Sequence, residues 1–378
     1  MSQGVAREPK EEGKVSLTRS QQAALEYVTN YARERRDQAR EAIGEVLQMA
    51  NISWKTYEQT VAKIKSHARV ALHFHPDRPT GKMQSVAQAL LEQGVYRNQF
   101  ETGLSNGSVS AYPGGARDLW EKKIFGGAYH QGECPNHERP KYGALDLTGA
   151  PDGPAPRFGS CYFLLSPEVS HRSTFTYLDS HQDPTEKGTF AEFDDIMAAL
   201  LVEVFVRDFA IGVKDLTPTK LINHLLTNLE KPLPPPVAGR ASRNLNHYIE
   251  AQVHGDVLLA RDVDILVADP SFQGTDTGIA LEELCSRYDI ELLWHMGFAM
   301  ATDDVPLDFR GPTMPSLARR IAPEGYLTTK MIGDAAMQLK QSPETWSDRG
   351  TYREVLQELK LLWHVLVRYG EPLQGSGA

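Results

Sequence analysis

One strand can be identified directly from residues 248–257, which read YIEAQVHGDV. Polar and apolar residues alternate there with the two-residue period of a β-strand. The predicted polar face holds Tyr248, Glu250, Gln252 and His254, and the apolar face holds Ile249, Ala251 and Val253. Such a polar row is typical of a strand that lines a cleft, and Glu250 would present its carboxylate to that cleft. An ordinary half-exposed strand is the alternative.

The chain on either side of this strand alternates between short strands and longer helices. Strand-like runs bounded by Gly, Pro or Asp occur at residues 70–74, 158–165, 173–178, 247–253, 257–259 and 265–268. Helical spacing of apolar residues occurs at 17–50, 53–67, 82–93, 189–209, 217–230, 278–288, 326–340 and 351–369. Residues 94–159 are rich in glycine and aromatics and keep no period. This pattern predicts the α+β fold class.

The same changes in pattern suggest how the chain is organised. Residues 1–16 are predicted to be a disordered leader and residues 17–68 an N-terminal helical region. A mixed core is expected over 69–275, with a helical insertion at about 189–246, and a mostly helical C-terminal region over 276–378.

Composition excludes several classes of protein. The 378 residues include 40 Lys and Arg against 49 Asp and Glu, a net charge of −9, so we expect no nucleic-acid partner. The three cysteines, Cys134, Cys161 and Cys285, are too few for a disulfide framework and favour a reducing compartment. The N-terminus has no apolar signal region, and no apolar run approaches the ~18–20 residues that span a bilayer. We therefore expect no membrane partner and a bacterial cytoplasmic location, with non-Sec secretion into a host cell as the alternative.

The segment HFHPDR at residues 73–78 has three interpretations. His73 and His75 are spaced like metal ligands, but the further candidates His130, Cys134 and His137 lack metal-site spacing, so no metal is predicted. The second is a non-enzymatic interaction module of the J-domain type around His75-Pro76-Asp77, which would make residues 50–90 a helical hairpin. The basic and aromatic pattern that such a module needs in its following helix is missing. The third is a charged turn after a strand.

Residues 94–165 supply glycines, arginines and aromatics, which suit nucleotide binding. Glycine lets a backbone approach a ligand closely, arginine pairs with phosphate, and aromatic rings stack on planar groups. The sequence holds no GxxxxGK[ST], and no GxGxxG lies between a strand and a helix. A bound nucleotide would therefore not use a P-loop or a Rossmann fold.

A set of segments across the middle of the chain resembles the CteC-like family of PARP-like bacterial ADP-ribosyltransferases, first described as a domain of unknown function. The segments are HFHPDR (73–78), YRNQFETGLSNG (96–107), YPGGARDLWE (112–121), FGGAYH (125–130), RPKYGALDL (139–147), FGSCYF (158–163), RSTFTYLDS (172–180), YIEAQVHGDV (248–257) and DVDILVADPSFQGT (262–275). The resemblance covers about residues 66–325. It implies an ADP-ribosyltransferase-like split β-sandwich that grips NAD.

The resemblance also implies roles for individual residues. The family uses an Asp and a Glu as its catalytic pair, which places Glu250 and Asp77 in those roles, with Asp179 as the competing Asp. It implies NAD-binding roles for His73, His75, Arg78, Arg97, Asn98, Gln99, Thr102, Phe158, Gly159, Ser160, Tyr162, Ser173, Tyr248 and Gln252. Tyr248 stands where arginine- and asparagine-directed toxins have Glu or Gln, which is consistent with a different acceptor. Asp77 and Glu250 are expected on adjacent strands and in one pocket.

The activity implied by the resemblance is that of a bacterial effector or toxin. NAD would be the substrate that donates ADP-ribose, and a protein hydroxyl group, first of all a threonine of ubiquitin, would accept it. Modification would then block ubiquitination, and the enzyme is expected to be a monomer without a metal. A toxin that hydrolyses NAD, with water as acceptor, is the enzymatic alternative.

Overall fold

The structure is a computed structural model and describes residues 15–103, 111–132, 134–231 and 241–373. Its α-helices are α1 (Arg19–Glu34), α2 (Arg36–Met49), α3 (Trp54–His67), α4 (Val86–Gln93), α5 (Gln99–Thr102), α6 (Ala116–Ile124), α7 (Pro167–Ser170), α8 (Asp194–Arg207), α9 (Pro218–Asn228), α10 (Leu259–Asp262), α11 (Asp276–Tyr288), α12 (Met314–Ile321), α13 (Thr329–Gln341) and α14 (Tyr352–Tyr369). Its strands are β1 (Arg69–Phe74), β2 (Val95–Tyr96), β3 (Lys141–Asp146), β4 (Cys161–Leu165), β5 (Ser173–Tyr177), β6 (Lys187–Thr189), β7 (Phe209–Ala210), β8 (Val213–Lys214), β9 (Ile249–Val253), β10 (Val257–Leu258), β11 (Val263–Ala268), β12 (Glu291–Trp294), β13 (Ala299–Ala301) and β14 (Tyr326–Thr328).

Eight of these strands form one large sheet in the order β12-β11-β4-β1-β3-β9-β5-β6. β11 and β12 run parallel, and every other neighbouring pair in this sheet is antiparallel. Since helices flank a mixed sheet, the predicted α+β class is confirmed. The expected leader lies outside the described residues for positions 1–14.

The sheet has one apolar face in the main core, and its opposite face is polar at β9 and apolar around Ala71, Leu164 and Val267. On β9, Ile249, Ala251 and Val253 belong to the main core, as the alternation of residues 248–257 predicted. The same core includes apolar side chains of α2, α3, α8, α9 and α11. The opposite face of β9 carries Glu250 and Gln252, so the prediction of a two-faced strand is confirmed.

β3 is a central strand that the sequence analysis placed in the aperiodic region. It lies between β1 and β9, and Gly143 on β3 pairs with Ala251 on β9. A Cβ atom on Gly143 would approach the carbonyl oxygen of Ala71 to 2.4 Å, so the close passage of β1 requires glycine there. The same glycine weakens the strand signal of KYGALD, which explains why the strand was missed.

The N-terminal helices are fixed to the main core by ion pairs with the start of α8. Arg33 and Arg36 both pair with Glu192, and Arg35 lies 3.1 Å from Asp195. Acidic groups are favourable at a helix N-terminus, so these carboxylates serve both α8 and the arginines. Within the expected helical insertion at 189–246, apolar side chains of α8 and α9 belong to the main core.

The C-terminal region divides differently from the expectation. Because β12 pairs with β11, residues up to 294 complete the sheet, and the expected boundary at 275 falls inside the main core. A second apolar core gathers residues from Phe298 to Val367, including Leu317, Leu339 and Trp363. Among the described residues, no helix is long and apolar enough to cross a membrane.

The segment around His75-Pro76-Asp77 does not form the helical hairpin expected of a J-domain-like module. α3 ends at His67, β1 follows as a central strand of the sheet, and α4 begins only at Val86. The sheet would have to lose β1 to release such a hairpin, which removes the structural basis of that alternative.

Candidate active site

Two adjoining cavities lie beside the sheet, and both open to solvent. The first, called here the acidic cavity, spans about 530 Å³ including its open part and is lined by His73, Tyr96, Gln99, Arg117, Tyr142, Gly143, Ala155, Phe158, Asp179, Tyr248 and Glu250. The second, called the basic cavity, spans about 770 Å³ including its open part and has the polar lining His75, Arg78, Thr80, Gln93, Arg97, Asn98, Gln99 and Thr102. Tyr96, Gln99 and Tyr142 line both cavities, so the two form one cleft.

Glu250 occupies the centre of the acidic cavity. The sheet places it between Ala144 on β3 and Thr176 on β5. Its Oε1 accepts a hydrogen bond of 2.9 Å from the side-chain amide of Gln252, and its Oε2 accepts bonds of 3.3 and 3.4 Å from the amide and hydroxyl of Ser180. Burial and the negative charge of Asp179 raise the pKa of Glu250 to about 8. The free protein therefore holds a protonated carboxyl group here near neutral pH.

Asp179 is the second carboxylate of the acidic cavity. It follows β5, where its Oδ1 caps the short 3₁₀ turn Ser180–Gln182 by accepting from the amide of His181. Its Oδ2 accepts a hydrogen bond of 2.6 Å from the hydroxyl of Tyr248. Burial acts to raise the pKa of Asp179, but the bonds from Tyr248 and His181 outweigh it and hold the pKa below its usual value. The cavity thus pairs an ionised Asp with a protonated Glu.

Aromatic rings form one wall beside these carboxyl groups. Phe158 meets Tyr248 edge to face at 5.7 Å, and Arg157 lies over the Phe158 ring. Gly159 allows this segment to lie against β1, since a Cβ atom there would be 2.3 Å from the backbone of Phe74. Phe158 and Tyr248 therefore give the acidic cavity an aromatic wall.

A chain of buried hydrogen bonds ends at Glu250. Tyr129 bonds His254 Nδ1 at 2.5 Å, His254 Nε2 lies 3.1 Å from the hydroxyl of Thr174, and Thr174 donates to Gln252 at 2.8 Å. Because Thr174 gives its only proton to Gln252, His254 must donate through Nε2 and accept from Tyr129 at Nδ1. Burial lowers the pKa of His254 to about 3, which agrees with a neutral ring. Every donor in this relay of Tyr129, His254, Thr174 and Gln252 therefore points towards Glu250.

His73 is neutral and has a structural role. Its Nε2 accepts from the amide of Ala155 at 3.2 Å, and its Nδ1 lies 3.2 Å from the carbonyl oxygen of Gly159, so Nδ1 carries the proton. Burial lowers the pKa of His73 to about 3. It lines the acidic cavity and holds the segment that carries Phe158, but it brings no charge to a ligand.

Asp77 does not lie with Glu250, contrary to the expectation. β3 separates β1 from β9, and the turn after β1 directs Asp77 to a third cavity against α13 and α14. Asp179, the competing candidate, shares the acidic cavity with Glu250. The strand order is the physical reason. β1 pairs with β3 and β3 pairs with β9, so the end of β1 lies two strands away from Glu250.

The residues expected to bind NAD around α5 line the basic cavity in different ways. Asn98 uses its side chain to cap α5 and to bond the carbonyl oxygens of Asn136 and Arg139. Arg97 pairs with Glu101 at 3.0 Å, and the Thr102 hydroxyl donates to the backbone of Asn98. Gln99 differs from these three, since its Oε1 is buried where the two cavities meet and has no hydrogen-bond partner in the part of the chain that the structure describes.

His75 and Arg78 line the basic cavity as well. His75 meets Trp363 of α14 edge to face at 5.2 Å. Burial, together with the charge of Arg78, lowers the pKa of His75 well below its usual value. His75 is therefore neutral, and of these two residues only Arg78 brings positive charge to this end of the cleft.

The remaining expected NAD-binding residues lie behind the cleft surface. Ser173 pairs with Val253 on the apolar face and donates to the backbone of Val169, so it does not face Glu250. Tyr162 is buried under His73, and Ser160 is buried beside Cys161. Gln252 reaches the site through its bond to Glu250.

Several residues of the site were not predicted from the sequence. Tyr142, Arg117 and Ser180 lie in segments that the resemblance includes, yet only the fold brings them to the acidic cavity or to Glu250. Lys360 on α14 lines the third cavity, more than a hundred residues along the chain from Glu250. Within the described ranges, no group of three or more His, Cys, Asp or Glu side chains is arranged to hold a metal ion.

Comparison with known proteins gives two findings. No curated protein matches the chain. A family model described as "Protein of unknown function (DUF3626)" matches residues 69–369, which begins at β1 and ends with α14. The match spans the sheet, the cleft and the C-terminal core, and the chain therefore belongs to the DUF3626 family of proteins of unknown function.

Proposed function

We propose that the protein is a mono-ADP-ribosyltransferase that transfers ADP-ribose from NAD to a protein hydroxyl group, with a threonine of ubiquitin as the first acceptor to test. The observation that carries the proposal is the charge arrangement of the cleft. Asp179 and Glu250 lie in the acidic cavity, and Arg78 and Arg97 line the basic cavity joined to it. NAD has the same polarity, since its nicotinamide ring is cationic and its diphosphate is anionic.

The chemistry of the transfer suits a buried carboxylate. The bond between the ribose C1′ and the nicotinamide nitrogen breaks, and its electron pair leaves with nicotinamide. Positive charge develops at C1′ as in glycoside hydrolysis, and the acceptor oxygen then forms a bond to C1′ while its proton passes to a carboxylate or to water. Glu250, held by Gln252 and Ser180, would stabilise that charge from a fixed position. Asp179 replaces Asp77 as the Asp of the proposed pair.

The proposal includes the finer fold assignment. In it, the large mixed sheet is of the ADP-ribosyltransferase type, with NAD held against the polar side of β1, β3 and β9. The glycines at 143 and 159, which allow strands and loops to approach β1 closely, support such a cleft.

The first experiment tests transfer directly. The full chain is incubated with biotin-labelled NAD, with and without ubiquitin, and label on protein and free nicotinamide are both measured. We expect label on ubiquitin, and Glu250→Gln should reduce it by about 10²–10³-fold, because an amide cannot ionise to stabilise the positive charge that develops at C1′. Glu168→Gln, an exposed carboxyl group on α7, is the matched control and should keep full activity.

The outcomes separate the alternatives. Release of nicotinamide without label on any protein would make the chain an NAD hydrolase, with water as acceptor. More than about a tenth of wild-type transfer in Glu250→Gln would contradict the assignment of Glu250. No nicotinamide release and no label would sink the proposal as a whole.

A further inference from the structure

An exposed histidine is paired with one of the two carboxyl groups of the acidic cavity. His181 lies in the short 3₁₀ turn Ser180–Gln182 that follows Asp179. Its ring Nδ1 is 2.8 Å from Asp179 Oδ1, and the side chain of His181 is 45% exposed while that of Asp179 is buried. Because Asp179 lines the acidic cavity, the pair joins the wall of that cavity to solvent.

The ionisation of Asp179 decides which nitrogen of His181 carries the proton. Burial acts to raise the pKa of Asp179, but the bonds from Tyr248 and His181 hold it below its usual value, so Asp179 is a carboxylate that only accepts. Nδ1 of His181 must then donate, and in the neutral ring Nε2 keeps a lone pair. Nε2 has no hydrogen-bond partner among the residues that the structure describes.

The carboxylate that orients His181 is itself held at both oxygens. Asp179 Oδ2 accepts a bond of 2.6 Å from the hydroxyl of Tyr248, and Oδ1 also accepts from the backbone amide of His181 at 2.9 Å. These bonds fix the carboxylate and the ring bonded to it. A histidine whose Nδ1–H is held by an aspartate, and whose Nε2 is left for a substrate proton, has the arrangement of a general base.

The neighbours of His181 place it where an acceptor would enter the acidic cavity. Trp120 on α6 lies beside His181, with ring centroids 6.3 Å apart. Arg117 of the same helix lies over the Trp120 ring and lines the acidic cavity, and Leu119 between them in sequence is exposed. An acceptor that reaches the cavity past α6 and the turn therefore passes His181.

We propose that His181 is the general base that removes the proton of the acceptor hydroxyl. The inference rests on the proposed transferase function and assigns the proton that the acceptor loses. After nicotinamide has left with the electron pair of its bond to C1′, the acceptor oxygen bonds to C1′ and its O–H bond breaks. The proton goes to Nε2, which gives an imidazolium beside the negative charge of Asp179, and it then passes to water.

The two halves of the reaction should therefore depend on different residues. Cleavage of the nicotinamide bond needs the charge of Glu250, whereas capture of C1′ by a protein hydroxyl needs the base. Without His181 the ribosyl cation is left to water, which is present at a far higher concentration than the acceptor. Loss of the base should thus separate nicotinamide release from protein labelling.

Label on ubiquitin and release of nicotinamide from biotin-labelled NAD are measured together on the full chain. His181→Asn keeps a side-chain N–H for Asp179 but has no basic nitrogen. We expect it to release nicotinamide at the wild-type rate and to place about 10²-fold less label on ubiquitin. His137→Asn, which changes an exposed histidine in another 3₁₀ turn, is the matched control and should alter neither reading.

A second variant distinguishes a base from a structural support. His181→Ala should show the same loss of label, and added imidazole should restore the label, because the exposed position lets a free base enter. Imidazole in solution could not replace a side chain that only supports the turn.

Three results would overturn the inference: wild-type label on ubiquitin in His181→Asn, an equal loss of label and of nicotinamide release in that variant, or no restoration by imidazole. Label that depends on Glu250, combined with any of these, would leave the proposed function standing. Nicotinamide release without label in wild type would make the chain an NAD hydrolase and remove the acceptor base. Neither release nor label in wild type would remove the proposed function and this inference with it.

Discussion

Glu250 is buried, lies near the negative charge of Asp179, and accepts a hydrogen bond at each of its carboxyl oxygens. These features shift its pKa, and the shift has a testable consequence for activity. With a pKa of about 8 it is mostly protonated in the free protein at neutral pH. The cationic nicotinamide ring would be attracted by the ionised form only. The ionised fraction of Glu250 should therefore control how well the free enzyme captures NAD.

We predict that kcat/KM for NAD rises with pH and levels off above about pH 8, because this parameter reports ionisations of the free enzyme. Asp179→Asn should move the midpoint to lower pH, since it removes the negative charge that raises the pKa of Glu250. The measurement is nicotinamide release at low NAD concentration between about pH 6 and 9. A flat profile in wild type, or an unmoved midpoint in Asp179→Asn, would exclude this coupling.

At the scale of single elements, β5 and β9 form the framework that orients Glu250. The relay of Tyr129, His254, Thr174 and Gln252 crosses from β5 to β9 and turns the amide of Gln252 so that its NH₂ group faces Glu250. Breaking the relay at Thr174 removes the hydrogen bond to the Gln252 carbonyl oxygen, and the amide is then held only by the bonds from its NH₂ group to Glu250 and to Thr176, the latter 3.3 Å long. An amide turned by 180° would direct its carbonyl oxygen at Glu250 and repel the ionised form.

We predict that Thr174→Val lowers kcat about tenfold with little change in KM, since one hydrogen-bonded orientation is lost and the cleft surface stays intact. Ser173→Ala is the matched control, because Ser173 is equally buried on the same strand but belongs to the opposite face. Both variants should lose a similar amount of folding stability, about 1 kcal/mol each. Equal loss of kcat in the two variants would mean that the effect is structural.

Local patterns and long-range pairing differ in how far they can be predicted from the sequence. β9 was predicted with its two faces because alternation is a local property, and α14 was predicted from its apolar spacing. Which of Asp77 and Asp179 shares a cavity with Glu250 is not a local property, since it depends on β3 lying between β1 and β9. β3 itself was missed because the glycine that the packing requires also interrupts its pattern.

At the scale of the whole molecule, the main core borders the cleft and the second core borders the third cavity beside it. The main core carries the sheet with Glu250, and the second core brings α13 and α14 against the turn after β1. Trp363 of α14 bonds the carbonyl oxygen of Pro156, next to the segment that carries Phe158. The C-terminal region is thus part of the cleft.

Asp77 lies at this junction and should affect the stability of the entire fold. Its pKa is about 7 in the folded protein against the usual 3.8, so the folded state retains a proton that the unfolded chain has lost. The loss of folding stability caused by ionising Asp77 is therefore absent below about pH 4, grows as pH rises towards 7, and is constant above pH 7.

Asp77→Asn removes this loss of stability. It removes no hydrogen bond to Oδ2, since that oxygen has no partner among the described residues. We therefore predict that Asp77→Asn raises the free energy of unfolding in urea at about pH 8 and leaves it unchanged at about pH 4, while Asp304→Asn, which is exposed, shows no such pH-dependent gain. A gain of equal size at both pH values would show that the effect comes from packing, and would place the Asp77 carboxyl group in contact with solvent or with a cation.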